Sequence, residues 1–223
     1  MRERSAWVRK ARERISMDSL NEALRANLAP KGFLNTRRYR WVDEVPGPIR
    51  RIFEFQSLKG ARYSARWGFS LNFVPCLRGG RLRPKRTAKA AEFDLCIDPI
   101  DELGDPPSWS SVPYPLDSEK AELGRIASKS ADAACREFAR VASVGDLMTM
   151  FQERAQMTFR RFSLENYVQT HLAWGLGLMA AGKREEGRAH VALFCERFEV
   201  DPNDVALRKA EVTALQFAAA HDS

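Results

Sequence analysis

The sequence predicts an α+β protein. Three observations carry that expectation: the hydrophobic period falls from about 3.6 to 2 after Gly32, it returns to helical spacing after residue 117, and a proline-rich stretch separates the two regimes. The expected architecture is a four-stranded antiparallel meander, preceded by helices and followed by a C-terminal bundle of about five helices. The chain divides in this reading into a basic N-terminal helix at 1–16, an α+β sheet region at 17–116 and a helical region at 117–223.

Residues 3–15 mix Arg and Glu around Trp7, Val8 and Ala11, as a charged surface helix would. In "SLNEALRANLAPKG", Leu20, Ala23, Leu24 and Leu28 recur at helical spacing, and Pro30 and Gly32 end the pattern. "FLNTRRYRWV" alternates loosely and reads as one strand; "PGP" at 46–48 is a turn. "IRRIFEFQS" is the second strand. "RYSARWGFSLNF" alternates strictly, with Tyr63, Ala65, Trp67, Phe69, Leu71 and Phe73 on one side. Arg62, Ser64, Arg66, Gly68, Ser70 and Asn72 fall on the other, which predicts one buried and one wetter face. "EFDLCID" repeats the pattern as the fourth strand. Residues 99–116, with Pro99, Pro106, Pro107, Pro113 and Pro115, read as an irregular connection.

Beyond it, Leu123, Ile126, Ala127, Ala134, Phe138 and Val141 form one stripe of a helix over 118–142. "SVGD" at 143–146 has the form of a capping box, and Ser163 is placed to cap the helix that follows. That helix runs to Gly182, another covers 183–198, and "DP" at 201–202 offers an N-cap and a first-turn proline for the last.

The order helix, four strands, tryptophan-containing connection, helix resembles the bacterial domain-of-unknown-function family 4304. The likeness rests on Leu24 and Leu28, "KGF" at 31–33, "YRW" at 39–41, "FEFQS" at 53–57 and "FSLNF" at 69–73, over about residues 17–160. It implies a bacterial protein and brings no activity with it. "AWGLGLMAAGKREEGRAHVALF" is similar to a single tetratricopeptide-type hairpin, with Gly175 and Gly182 at that repeat's packing and turn positions and Gly187 where helices approach. No second copy follows, so a packed helical pair is expected rather than a solenoid.

The composition, 44% hydrophobic and 29% charged, is that of a globular chain. The longest run free of charge and strong polarity, "LAWGLGLMAAG" at 172–182, is short of the roughly 20 residues a membrane span needs, and the N-terminus is charged. Cys76, Cys96, Cys135 and Cys195 are far apart, which suits thiols in a reducing compartment. The chain is expected to be soluble and cytoplasmic, with no membrane partner.

Its charge is lopsided. Residues 1–90 hold 22 Lys and Arg against 7 Asp and Glu, whereas the rest of the chain is acidic. The first part therefore suits an anionic partner, or the second part.

No phosphate loop, dinucleotide fingerprint, zincin motif or nucleophile elbow occurs, so no catalytic residue is assigned. No cofactor or metal is expected, because His190 and Cys195 lack ligand spacing. His171 and His190 are placed to meet across a hairpin, and Cys195 with a histidine would be the one nucleophile–base arrangement.

Two arginine-rich places remain. On the polar side of the sheet, Arg38, Arg40, Arg50, Arg62 and Arg66 alternate with Glu54, Gln56, Asn72, Asp94 and Asp98. "LRGGRLRPKR" reads as the loop joining the third and fourth strands, in which Arg78, Arg81, Arg83, Lys85 and Arg86 surround a turn at Gly79 and Gly80. Arginine suits bidentate carboxylate and phosphate recognition. The reading reached is a non-catalytic macromolecule-binding module with a protein partner. Non-specific nucleic-acid binding through the basic half is the first alternative, and a metal-dependent hydrolase built on Asp94, Asp98, Asp101 and Glu102 the second.

Overall fold

A computed structural model describes residues 19–43, 47–58, 62–84, 87–98, 111–113, 120–156 and 170–221. The N-terminal helix expected at 1–16 and the cap expected at Ser163 lie outside these residues. Helix α1 covers residues 19–28, followed by a single turn of 3-10 helix, Ala29–Lys31, that ends at Gly32 in the left-handed region (φ 84°). The strands are β1 (Phe33–Arg37), β2 (Arg40–Asp43), β3 (Ile49–Leu58), β4 (Arg62–Leu71), β5 (Cys76–Arg78), β6 (Arg81–Arg83), β7 (Leu95–Ile97) and β8 (Ser111–Pro113). Five helices follow: α2 (Lys120–Ala139), α3 (Val144–Ala155), α4 (Thr170–Ala180), α5 (Arg184–Phe198) and α6 (Val205–His221).

The fold is α+β, but the antiparallel sheet has the order β1-β2-β3-β4-β7, five strands rather than four. The difference lies in "FLNTRRYRWV", which is a hairpin and not one strand. Tyr39 takes φ 60°, a conformation that a bulky residue rarely adopts, and this turns the chain between β1 and β2. The connection at 99–116 also contributes, because β8 pairs with β4 in the register Arg62↔Pro113, Tyr63↔Val112 and Ser64↔Ser111.

The chain divides into two compact units made of interleaved pieces. In the first, drawn from Met1–Glu44, Ile52–Trp67 and Ile97–Phe138, α1 buries Leu20, Leu24 and Leu28, and the strands bury Trp41, Val42, Ile52 and Phe53. From α2 come Leu123, Ile126, Ala127, Ala134 and Phe138, with the Phe33 and Phe138 rings stacked at 5.7 Å. The expected wetter face is largely closed among the described residues here: Arg40, Glu54 and Ser64 are buried together with the apolar residues that alternate with them, while Gln56 and Arg66 are half-buried.

The second unit comprises Val45–Arg51, Gly68–Cys96 and Ala139–Ser223. Its strand residues Gly68, Phe69, Ser70 and Leu71 are all buried, so alternation marks the strand without marking an exposed side. Gly68 is needed for space, since a Cβ there would lie 2.0 Å from the Leu95 carbonyl oxygen of β7. Helix α3 begins with the expected capping box: the Ser143 hydroxyl accepts from Asp146 N–H, and the Asp146 carboxylate accepts from Ser143 N–H. The Ser143 hydroxyl also donates to the Asp146 carboxylate at 2.9 Å, and this bond first, then those from the Ala142 and Ser143 N–H groups, holds the Asp146 carboxyl below its usual range.

Helices α4 and α5 cross at two glycines. A Cβ on Gly175 would lie 2.6 Å from the Gly187 carbonyl oxygen, and one on Gly187 would lie 2.5 Å from that of Gly175. Gly182, at φ 85°, turns the chain between the two helices. The last helix is capped otherwise than expected. Asp201 accepts from Asn203 N–H in a local turn, and Asp204 is the side chain that accepts from Ala206 and Leu207 N–H at 2.8 and 3.2 Å.

Candidate binding surface

The sheet arginines are mostly not available as a surface. Arg40 Nη1 donates to Glu54 Oε2 at 2.8 Å, the Arg66 guanidinium donates to Glu54 Oε1, and the Arg40 and Glu54 side chains are 9% and 10% exposed. Register explains the row: Arg40 lies opposite Glu54, just as Trp41 lies opposite Phe53 on the other side. One carboxylate thus holds two guanidiniums inside the first unit. Gln56 donates in the same way to Asp98, which is also buried. Arg50 is half-buried, and the side chain of Arg62 lies outside the described residues. Among the described side chains of this group Arg38 is the exposed one, with its guanidinium 5.4 Å from the Tyr39 ring centre and its Nε donating to Tyr39 Oη.

The glycine-centred stretch is a hairpin of its own. Strands β5 and β6 pair in the register Cys76↔Arg83, Leu77↔Leu82 and Arg78↔Arg81, closed by Gly79 (φ 56°) and Gly80 (φ 71°). Two successive positive φ angles are what a two-residue hairpin loop requires, and only glycine takes both without strain. Cys76 and Leu82 are buried, whereas Arg78, Arg81 and Arg83 are exposed. Arg78 faces Arg81 across the ladder, where like charges repel. Its ion pair with Glu92 relieves that repulsion. Arg81 and Arg83 have no acidic partner among the described residues. Lys85 and Arg86 lie outside the description.

Beside the hairpin base is an open pocket of about 300 Å³, lined by Asn72, Phe73, Pro75, Pro84, Lys209 and Thr213 among others. Phe73 is held in place by Phe217 of α6, ring centres 5.3 Å apart. The sequence signalled the arginines but not this pocket, because Lys209 and Thr213 come from a helix far along the chain.

Of the four acids proposed for hydrolysis, the two described ones each hold a donor. Asp94 is buried, and its Oδ2 accepts from Leu71 N–H at 2.7 Å; Asp98 holds Gln56; Asp101 and Glu102 lie outside the described residues. The Cys195 thiol is pushed up by burial and then by Glu211, Asp201 and Asp204, which disfavours the thiolate a nucleophile needs. Among the described residues no group of three or more His, Cys, Asp or Glu is placed to hold a metal ion, and no helix is long and apolar enough to cross a membrane.

His171 and His190 do meet. Their Nδ1 atoms are 3.0 Å apart, and Trp174 stacks on His190 at 4.4 Å. His190 borders a cleft of about 570 Å³ whose walls include Met148, Gln152, Trp174, Leu178 and Glu186. Burial, and then the neighbouring His171, lower the His190 pKa, with Glu186 opposing. A histidine with a depressed folded pKa binds fewer protons folded than unfolded. Its stabilising contribution is complete above the unfolded value of about 6.5 and is lost as pH falls below that. Urea unfolding between pH 7.5 and 5 should therefore show falling stability, with a shallower slope for His190→Gln; equal slopes would contradict the shift.

Comparison with known proteins finds no matching family model, no matching curated protein and no matching solved structure.

Proposed function

We propose that this chain is a non-catalytic protein-binding module that takes an acidic segment along the β5–β6 hairpin. The observation that carries the reading is the exposed pair Arg81 and Arg83, which meets no described carboxylate while Arg78 beside it is already neutralised by Glu92. Lys209 extends the positive charge to the pocket, and Phe73, Pro75 and Pro84 offer an apolar seat for one side chain of the partner. Alternation with buried Leu82 points both arginines the same way, so an extended acidic strand can meet them at a two-residue period.

Nucleic acid is the less favoured partner. Sequence-tolerant binding of single strands relies on aromatic rings between the basic residues. Among the described residues lining the pocket the aromatic ring is that of Phe73, half-buried against Phe217, and no second ring lines it.

A labelled peptide of alternating glutamate and leucine should bind the chain in an anisotropy titration at low salt and be displaced as salt screens the contact. Reversing both charges (Arg81→Glu with Arg83→Glu) should weaken it about two- to thirtyfold, since exposed ion pairs are worth about 0.2–1 kcal/mol each. Binding that is unchanged in the reversed variant, or a preference for an oligonucleotide of equal charge, would overturn the reading.

A further inference from the structure

The histidine pair is a different feature from the hairpin, and nothing in the binding reading uses it. Two neutral imidazoles facing each other through Nδ1 at 3.0 Å share one proton, one ring donating and the other accepting. That spacing matches a metal ion's bite. Two nitrogens each about 2.1 Å from one ion stand about 3.0 Å apart at a right angle and about 3.4 Å apart at a tetrahedral angle.

The surroundings favour an ion over the proton. The stacked Trp174 indole fixes the His190 ring, as outer residues do for metal-bound imidazoles. Glu186, one turn earlier on α5, adds negative charge toward His190, although Lys183 lines the same cleft. The cleft itself gives a path from solvent and room for water ligands.

We propose that His171 and His190 form a two-imidazole site for one divalent ion of the nickel, cobalt and zinc class, completed by water from the adjoining cleft. Imidazole nitrogen is a favoured ligand for these ions, which excludes magnesium and calcium from the expectation. On binding, the shared proton moves to Nε2 of the ring that carried it, both Nδ1 lone pairs turn to the ion, and no proton need be released. With two protein ligands, the affinity is that of a modest chelate.

The test uses the untagged full chain with nickel, zinc and magnesium chlorides at pH 7.5. Nickel and zinc should raise Tm in a saturating, dose-dependent way, with one ion per chain by calorimetry, and magnesium should not. His171→Gln and His190→Gln should each weaken nickel binding at least about tenfold. Binding should vanish at pH 5. Should His190→Gln prove unfolded by circular dichroism, His171→Gln alone carries the comparison. Equal nickel binding by the chain and its double glutamine variant, or no rise in Tm with any ion, would overturn the proposal.

Discussion

Replacing Gly68 with alanine is expected to destabilise the chain by about 3 kcal/mol or more. An alanine Cβ would sit 2.0 Å from the Leu95 carbonyl oxygen, 3.0 Å from its carbonyl carbon and 3.1 Å from Cys96 Cα. All three are backbone atoms of β7, so no rotamer change can make room. Either β7 leaves β4 or the strand bends. Two bonds anchor this junction, Asp94 N–H to the Phe69 carbonyl at 2.8 Å and Leu71 N–H to Asp94 Oδ2 at 2.7 Å, and both would be strained. A loss of roughly this size corresponds to a Tm fall on the order of 6–12 °C in a chain of this length. An alanine variant within about 1 °C of the parent would show that β7 is not held so closely.

Glu54→Leu is expected to be of similar severity for an electrostatic reason. Its carboxylate is the acceptor for both Arg40 and Arg66. The Arg66 side chain is 32% exposed and can turn to solvent, whereas that of Arg40 is 9% exposed and cannot. Removing one partner of a buried ion pair typically costs about 3–5 kcal/mol, because the other charge remains desolvated. Replacing Arg40 by leucine as well should recover most of the loss, since an apolar pair of similar volume is often neutral. A double variant no more stable than Glu54→Leu would mean that Arg40 contributes through other contacts.

This row also shows where sequence reasoning stops. The alternation in "RYSARWGFSLNF" located β4 correctly, and "FEFQS" located β3. The step from alternation to one wet face failed because a polar side chain can be buried when its cross-strand neighbour neutralises it. Arg40 and Glu54 are 14 positions apart, and only the β2–β3 register brings them together; the turn at Tyr39, which separates β1 from β2, was also unforeseen. No glycine or asparagine marks that turn. Where the punctuation was strong, the reading held: Gly79–Gly80 closes a hairpin, Ser143 and Asp146 cap α3, and Gly182 ends a helix. The Asp201–Pro202 signal misplaced a cap by three residues, because Asp201 is occupied by its own turn and Asp204 follows it.

For the candidate site, the hairpin arginines were legible as charge and their exposure followed from the turn. Their neighbours were not. Glu92, Lys209 and Phe217 reach this region through tertiary packing, which no local pattern reports. The histidines were legible as a pair across a hairpin because the interval between them contains the Gly182 turn.

The most direct test of the binding account is to locate the contact rather than to measure its strength. A glutamate-rich peptide carrying one benzoylphenylalanine would be photo-crosslinked to the chain at low salt, and the adducts mapped by mass spectrometry. The account predicts adducts on residues 72–84 and 206–213, lost in the Arg81→Glu, Arg83→Glu variant. Adducts on the helices lining the histidine cleft, or a pattern untouched by the charge reversal, would contradict it.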